Sequence, residues 1–307
     1  MRTTFIQELM TLAEQNPRIF LVVGDLGFSV VEPFAKAFPG RYLNVGIAEQ
    51  NMTGLAAGLA SEGYHVFTYS IANFPTFRCA EQIRNDVAYH NLPVTIVSVG
   101  GGLAYGSLGY SHHAVQDIAM IRTFPGMRIA APGDPRETRA CMRYLNEHPC
   151  PSYLRLGKAG EPIVHKEDIS VQPGRIVCSY DAGGAVAILC TSATLKLAHD
   201  IVSCPEFAGR VSVYSLPLWD ASSNESVAEF ISSKRVVVTL EDHLRAGGFG
   251  SFVQECLDAA PFLLARVKCV ALDASVCGKV ASQTVLNEQG GLSVQCISNI
   301  LLSKIGS

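Results

Sequence analysis

The residues best suited to chemistry lie between Tyr42 and Ala60, where an apolar strand runs into a glycine-containing helix. Glu49 is the one carboxylate of this stretch and lies at the junction of the two elements. A carboxylate held in apolar, close-packed surroundings has a raised pKa, which suits it to exchanging a proton near neutral pH. Glu49 is therefore the candidate catalytic group, although a glutamate in a first helical turn also commonly serves to complement the helix dipole.

The helix that begins at Glu49 carries apolar residues at helical spacing, namely Met52, Leu55, Ala56 and Leu59. This pattern predicts one buried face. Gly54 and Gly58 lie four residues apart on the same helix. Because a glycine inside a helix costs up to about 1 kcal/mol relative to alanine, we expect another backbone to pass close to both positions.

Two further loops carry polar residues after predicted strands. The apolar run that ends at Asp25 is typical of a buried parallel strand, and Ser29 lies in the loop that follows. An aspartate at such a place is as often a helix cap as a functional residue. His112 and His113 close a glycine-rich stretch that begins at Gly100, where the chain is expected to pass close to a ligand. A histidine pair at that position favours a functional role over a structural one.

Strand and helix signals alternate along the chain, which predicts an α/β fold with two doubly wound domains. The predicted strands of the first half are Arg18–Asp25, the run from Tyr42, Tyr64–Ser70, Leu92–Val99, Met127–Pro132 and Ser152–Leu156, with helices Ala80–His90 and Pro135–Glu147 among them. Those of the second half are Ala185–Thr191, Arg210–Leu216 and Arg235–Leu240. A polar stretch without periodicity separates the halves, so the predicted units are a first domain at 1–160, a linker at 161–178 and a second domain at 179–307.

The composition excludes several classes of protein. A hydrophobic content of 48% with 17% charged residues argues against disorder. The net charge of -3 and scattered basic residues give no electrostatic reason to expect nucleic acid or a membrane surface as partner. No apolar run approaches membrane-spanning length, and the ten cysteines form no Cys-x-x-Cys pair. We interpret the cysteines as mostly buried thiols of a cytoplasmic protein.

Three motifs, taken in order, resemble the C-terminal half of transketolases. They are Gly46-Ile-Ala-Glu-Gln-Asn-Met52, the aromatic stretch Phe74 to Arg78, and Gly109-Tyr-Ser-His-His113. The first domain resembles the pyrimidine-binding domain of thiamine diphosphate enzymes. Thr239 to His243 with Gly247 to Ser251 resembles the C-terminal domain shared by transketolases, 1-deoxyxylulose 5-phosphate synthases and the β subunits of 2-oxo acid dehydrogenases. The likeness extends over nearly the whole chain.

This resemblance implies roles for the residues near the cofactor. Glu49 matches the carboxylate that shares a proton with N1′ of the pyrimidine, which lets the cofactor's own amino group take the proton from the thiazolium C2. Phe74 and Phe77 would form the wall on which the pyrimidine stacks, with Phe77 the better match and plain core packing as the alternative. Asp25 matches a cofactor-binding position, and Ser29 belongs to the same loop near the substrate and the subunit contact.

The resemblance also implies substrate-binding residues. His112 corresponds to the family histidine that faces the substrate and assists at the developing hydroxyl or oxyanion, and His113 stands where many relatives carry glutamine. Lys158 follows a strand at the position where relatives place an arginine for the sugar phosphate. Lysine keeps the charge but loses the bidentate fork, so it is left open whether the substrate carries a phosphate.

One part of the family's active site has no counterpart in the sequence. The diphosphate and its metal are held in relatives by a Gly-Asp-Gly motif followed by an asparagine, whereas Gly24-Asp-Leu-Gly27 lacks that sequel. No metal ligand is therefore predicted in this chain. Thiamine diphosphate with Mg²⁺ or another divalent cation would be held mainly by a diphosphate-binding partner subunit, in an α2β2 heterotetramer.

The resemblance thus implies one subunit of a split transketolase, which moves a two-carbon ketol unit between sugars or sugar phosphates. A dehydrogenase β subunit has the same length and layout and remains an alternative. A 1-deoxyxylulose 5-phosphate synthase is expected to carry an arginine where this chain has Gly100 to Gly102. A noncatalytic regulatory module that keeps only the fold is the remaining alternative.

Overall fold

The computed structural model describes residues 1–258 and 266–305, which form helices packed on two β-sheets. The strands are β1 (Ile19–Val23), β2 (Tyr42–Asn44), β3 (His65–Ile71), β4 (Val94–Val99), β5 (Arg128–Ala130), β6 (Ser152–Leu156), β7 (Val177–Tyr180), β8 (Val186–Cys190), β9 (Ser212–Ser215), β10 (Leu218–Trp219), β11 (Val236–Leu244) and β12 (Arg266–Leu272). The helices are α1 (Arg2–Gln15), α2 (Glu32–Ala37), α3 (Glu49–Ser61), α4 (Phe74–Phe77), α5 (Ala80–Gln82), α6 (Asp117–Ile121), α7 (Pro135–Glu147), α8 (Thr194–Val202), α9 (Asn224–Ser232), α10 (Phe249–Asp258), α11 (Gln283–Gln289) and α12 (Val294–Ile305).

The first sheet has seven strands in the order β10-β5-β6-β4-β3-β1-β2, all parallel except the edge strand β10. The second has five strands in the order β12-β11-β8-β9-β7, all parallel except β7. Crossover helices on parallel strands require buried, apolar strands, as β3, β4 and β8 illustrate. The predicted α/β class with two doubly wound sheets is confirmed. β10, which comes from the predicted second domain, joins the first sheet.

Several local predictions are wrong. The stretch from Phe74 is one turn of helix, because Pro75 occupies the first turn, where a proline needs no hydrogen-bond partner. The predicted helix Ala80–His90 is a short α-helical turn followed by a π-helix at Ile83–Ala88. β11 continues past Leu240 to Leu244, through residues predicted to form a loop.

Apolar packing joins the two sheets. One cluster of buried side chains includes Met52 and Ile118 from the first half and Trp219 and Phe249 from the second. A second cluster fills the other face of the first sheet and a third the other face of the second. The first cluster is thus shared between the halves, so the elements that carry the candidate site are held by both sheets.

A buried ion network crosses between the sheets beneath the glycine-rich loop. Arg155 on β6 is fully buried and donates to Asp117 at 2.8 Å and to Asp242 on β11 at 2.6 Å. Burial alone would raise the pKa of Asp117, but the charge of Arg155 outweighs it and the pKa is lowered. A Cβ at Gly101 would lie 2.5 Å from the Arg155 guanidinium carbon, and one at Gly102 would lie 2.6 Å from an Asp242 carboxylate oxygen. These two glycines are therefore required for the loop to pass over the network.

The helix α3 differs from the prediction on its outer side. Met52 and Ala56 are buried as predicted, but Leu55 is 39% exposed. An added Cβ at Gly54 or Gly58 would meet no atom within 4 Å, so no backbone of the described chain approaches either glycine. The glycine face of α3 is open in the single chain.

Two further predictions concern the whole chain. All ten cysteines are free thiols, but only Cys79, Cys141, Cys190 and Cys256 are buried, so the prediction that most are buried is wrong. Within the part of the chain that the structure describes, no helix is both long and apolar enough to cross a membrane.

Candidate active site

Glu49 lies at the first residue of α3, against the ends of two central strands. Its side chain is 2% exposed. Ser70 at the end of β3 donates a hydrogen bond to Oε1 at 3.4 Å, and an added Cβ at Gly24, which follows β1, would lie 3.4 Å from the Glu49 Cγ. Glu49 thus occupies the carboxyl edge of a parallel sheet, where open α/β folds place their ligands.

Arg78 is the second partner of this carboxylate, and the sequence analysis gave it no role. Its Nη1 donates to Glu49 Oε2 at 3.1 Å, while its own side chain is 51% exposed. The guanidinium carbon also lies 4.3 Å from the centre of the Phe74 ring, over its face. The signal that could have revealed this residue is the helical turn α4, which places Arg78 one turn after Phe74.

A cleft of about 500 Å³ opens beside Glu49 and Arg78. Its lining residues are Asn73, Phe74, Phe77, Arg78, Tyr110, Ser111, His113 and Gln116. The Asn73 amide donates to the Ser111 carbonyl at 2.8 Å, which fixes the histidine loop to the start of α4. Both aromatic residues of the predicted wall line this cleft, and Phe77 is 40% exposed. Phe77 is therefore open to a ligand rather than packed in a core.

The two histidines of the loop lie in different surroundings. The half-buried ring of His112 meets Phe74 edge-on with ring centres 5.2 Å apart, and its Nδ1 lies 3.0 Å from Ser111 Oγ. Burial, followed by the charges of His113 and Arg78, lowers the pKa of His112, so its ring is neutral at pH 7. His113 is 1% exposed and its Nε2 lies 3.5 Å from the Gly106 carbonyl.

Asp25 and Ser29 do not contact Glu49 directly. Asp25 has a left-handed backbone with φ of 53°, and its carboxylate accepts a hydrogen bond from the Asn44 amide at 3.0 Å. Its carboxylate pairs with Asn44 rather than capping a helix. Ser29, with φ of 64°, is exposed and its amide donates to Glu32. Two non-glycine residues with positive φ in one loop indicate a strained segment, which is common near functional sites.

Lys158 reaches the same region through Tyr105. Its Nζ lies 4.9 Å from the centre of the Tyr105 ring, and that ring centre lies 6.4 Å from the centre of His112. Burial raises the pKa of Tyr105, and the charge of Arg2 on α1 opposes the shift. Arg2 is thus a second cation near this tyrosine, which the sequence analysis missed because its helix was considered only for packing.

The site offers features suited to a planar, nitrogen-containing ring but lacks an evident place for a metal. A buried carboxylate and two aromatic side chains border one cleft, which satisfies the needs of an aminopyrimidine. Among residues 1–258 and 266–305, no group of three or more His, Cys, Asp or Glu side chains could hold a metal ion. The geometry is that of a pyrimidine-binding domain of a thiamine-dependent enzyme, without the diphosphate half of the site.

Comparisons with known proteins agree with this class. The family described as "Transketolase, pyrimidine binding domain" matches residues 1–160. One of the two apulose-4-phosphate transketolase chains of Phocaeicola vulgatus is 35% identical over 263 residues, which cover 85% of this chain and 84% of that protein. A solved structure described as a split gene transketolase, inactive beta4 tetramer, is 31% identical with a TM-score of 0.85, and the match covers 99% of this chain and 97% of that one. The chain belongs to the transketolase family.

A longer relative shows which part of the family's architecture this chain represents. The 1-deoxy-D-xylulose-5-phosphate synthase 1 of Kitasatospora griseola is 32% identical over 266 residues, and the match covers 83% of this chain but 39% of that protein. The predicted resemblance to the C-terminal half of transketolases is confirmed, and so is the predicted class of enzyme, a transferase that works as one subunit of a split transketolase. Members of this family use thiamine diphosphate.

Proposed function

We propose that this chain supplies the pyrimidine pocket of a split transketolase and, with a partner subunit, transfers a two-carbon ketol unit between sugars or sugar phosphates. The observation that carries the proposal is the buried Glu49 carboxylate beside a cleft lined by Phe74 and Phe77. Thiamine diphosphate, when bound, supplies the nucleophilic carbon that accepts and releases the two-carbon unit. Glu49 would exchange a proton with its pyrimidine ring, and the two phenylalanines would flank that ring.

The diphosphate and Mg²⁺ or another divalent cation would be held mainly by the partner. Two phosphates need a cation with oxygen ligands, and no suitable cluster occurs in the described parts of this chain. An open surface beside the site supports a subunit contact: Ile47 is 78% exposed, and Leu55 and the two glycines of α3 lie nearby on the same helix and its approach. We propose an α2β2 heterotetramer in which this surface is covered.

His112 and the Tyr105 region would handle the substrate. The neutral ring of His112 can donate or accept a hydrogen bond at a reacting hydroxyl group. Lys158 and Arg2 place two cations around Tyr105, which suits an anionic terminal group such as a sugar phosphate. The relative from Phocaeicola vulgatus is named for a phosphorylated sugar, which is consistent with such a group. Ser29 and His113 would contribute from the neighbouring loops, and Asp25 would border the cofactor.

The structure gives a reason to prefer this activity to that of a 1-deoxyxylulose 5-phosphate synthase. That enzyme is expected to carry an arginine directly after β4, where Gly101 and Gly102 lie pressed against Arg155 and Asp242. A side chain at either position would collide with the buried ion network. The loop of this chain is therefore built without the arginine that the alternative needs.

Reconstitution tests the proposal. The purified chain titrated calorimetrically with thiamine diphosphate and Mg²⁺ should show no tight, stoichiometric binding and no ketol transfer, whereas the complex with its diphosphate-binding partner should show both. In that complex Glu49→Gln should assemble normally and lose about a hundredfold or more of turnover, since a proton relay is removed.

Glu62→Gln is the matched control, because Glu62 is an exposed glutamate directly after the same helix. It should leave turnover unchanged. Ketol transfer by the chain alone would contradict the split arrangement, and a reconstituted Glu49→Gln variant with near wild-type turnover would remove Glu49 from the site.

A further inference from the structure

Arg78 makes the same two contacts that the proposed function assigns to the pyrimidine ring of the cofactor. Its guanidinium donates to Glu49 Oε2 at 3.1 Å and lies over the face of Phe74 at 4.3 Å. A guanidinium is planar, cationic and rich in N–H donors, so it stacks on an aromatic ring and pairs with a carboxylate as a protonated aminopyrimidine does. One side chain of the protein thus has the shape and charge of the ligand's ring.

The Glu49 carboxylate has no free oxygen while Arg78 is in place. Ser70 Oγ donates to Oε1 at 3.4 Å and Arg78 occupies Oε2. Because Glu49 is 2% exposed, a ring nitrogen can reach its carboxylate only from the cleft, where the guanidinium lies. Cofactor ring and Arg78 therefore compete for one carboxylate and one aromatic face.

We infer that Arg78 acts as an internal competitor that fills the pyrimidine subsite of the free subunit and must swing into solvent before the cofactor ring can bind. This inference rests on the proposed function of Glu49 and Phe74. Arg78 is 51% exposed, so the outward movement requires no unfolding. The closed arrangement protects the buried carboxylate from being left without a partner until the complete site is assembled.

Removal of the competitor should strengthen binding of a ring that needs only this half of the site. The probe is 4-amino-2-methylpyrimidine, titrated into the full-length chain and followed by calorimetry or ligand-observed NMR. Arg78→Gln should lower the Kd of the probe by about five- to thirtyfold, which is the combined weight of a half-exposed ion pair and one cation–π contact. Arg78→Lys keeps the charge without the planar group and should give a smaller gain.

Arg84→Gln is the matched control, since it removes the same kind of charge from the adjoining π-helix, where Arg84 donates to Asn85. Its Kd should equal that of the wild-type chain. A Kd that is unchanged or higher in Arg78→Gln, or probe binding undetectable in every variant, would overturn the inference.

A second variant separates failure of this inference from failure of the proposed function. In the double variant Arg78→Gln with Glu49→Gln, the gain in probe affinity should disappear. If the gain persists, Arg78 blocks the cleft but Glu49 does not bind the ring, which contradicts the proposed function. If Arg78→Gln gives no gain while reconstituted Glu49→Gln has lost turnover, only the competitor role is wrong.

Discussion

At the scale of single residues, the histidine pair separates into two roles. His112 is half-buried, faces Phe74 and lies near Tyr105, so a substrate in the cleft can touch it. His113 is buried and points toward Gly106, within its own loop. Adjacent residues alternate in direction, and here the alternation gives one side chain to the ligand and the other to the loop.

The first prediction concerns His112→Ala in the reconstituted enzyme. It should lower kcat for ketol transfer by about a hundredfold and leave the Kd for thiamine diphosphate nearly unchanged, because the ring acts on the substrate and the cofactor is held elsewhere. His113→Ala should instead lower the free energy of unfolding by about 1 to 3 kcal/mol through the cavity it creates. Equal loss of cofactor binding in both variants would show that the whole loop is structural.

The second prediction concerns Lys158→Ala. Loss of a charge-assisted contact costs about 1.5 to 3 kcal/mol, so KM for phosphorylated sugars should rise roughly ten- to a hundredfold while KM for unphosphorylated sugars stays constant. Steady-state kinetics with matched pairs of sugars give the comparison, and Lys166→Ala, an exposed lysine of the linker, is the control. An equal rise for both kinds of sugar would assign Lys158 to the loop rather than to a phosphate.

Sequence reasoning found Glu49 because a lone carboxylate between a strand and a helix has few places to go. It could not find the Arg78 contact, since that depends on a helical turn which Pro75 disguised as a loop. It also could not distinguish His112 from His113, whose separate surroundings arise from Tyr105 and Gly106. Partners chosen by three-dimensional packing are not encoded in local spacing.

At the scale of elements, the predicted linker is anchored to the first domain through α7. His165 Nε2 lies 2.8 Å from a Glu137 carboxylate oxygen, and Asp134 accepts hydrogen bonds from the amides of Val164 and His165. Burial would lower the pKa of His165, but the hydrogen bond and charge of Glu137 outweigh it and raise the pKa above its usual value of 6.5. Charges of Asp134 and Arg136 act on the same ring in opposite directions.

The third prediction follows from that raised pKa. The protonated ring stabilises the fold, and this contribution is complete below the unfolded pKa of about 6.5 and is lost as pH rises through the higher folded pKa. Urea unfolding of the wild-type chain and His165→Gln should therefore differ most near pH 6 and converge toward pH 8. A difference that grows with rising pH would have the opposite sign and would contradict the protonated pair.

The elements themselves were predictable where buried apolar runs were long. β4, β6 and β8 lie within a few residues of the predicted strands. The two-residue strand β10 and the edge strands β7 and β12 were not predicted, because their pairing is set by the neighbouring strand more than by their own residues. Propensity also fails to tell an α-helix from the π-helix at Ile83–Ala88.

At the scale of the whole molecule, the network of Arg155 ties one sheet to the other. Arg155 on the first sheet is shared between Asp117 and Asp242, the latter from the second sheet. A charge buried in this way is stable only while its partners remain. The network also supports Gly101 and Gly102, at the start of the loop that carries His112.

The fourth prediction is that Asp242→Asn lowers the free energy of unfolding by about 3 kcal/mol, because it leaves part of a buried guanidinium charge without compensation. Asp200→Asn, which breaks the exposed pair with Lys196, should cost less than about 1 kcal/mol. Urea denaturation of both variants at one pH makes the comparison. Equal stabilities would mean that the network does not hold the sheets together.

Trp219 gives the protein an optical reporter of its own. It is the single tryptophan of the chain, it is buried, and its ring stacks on Phe252 with centres 4.4 Å apart. Its strand β10 is the place where chain from the second half completes the first sheet. Indole fluorescence depends on the polarity around the ring, so the emission follows this junction without any added dye. A change in emission while helical circular dichroism persists would show that the sheets part before either of them unfolds.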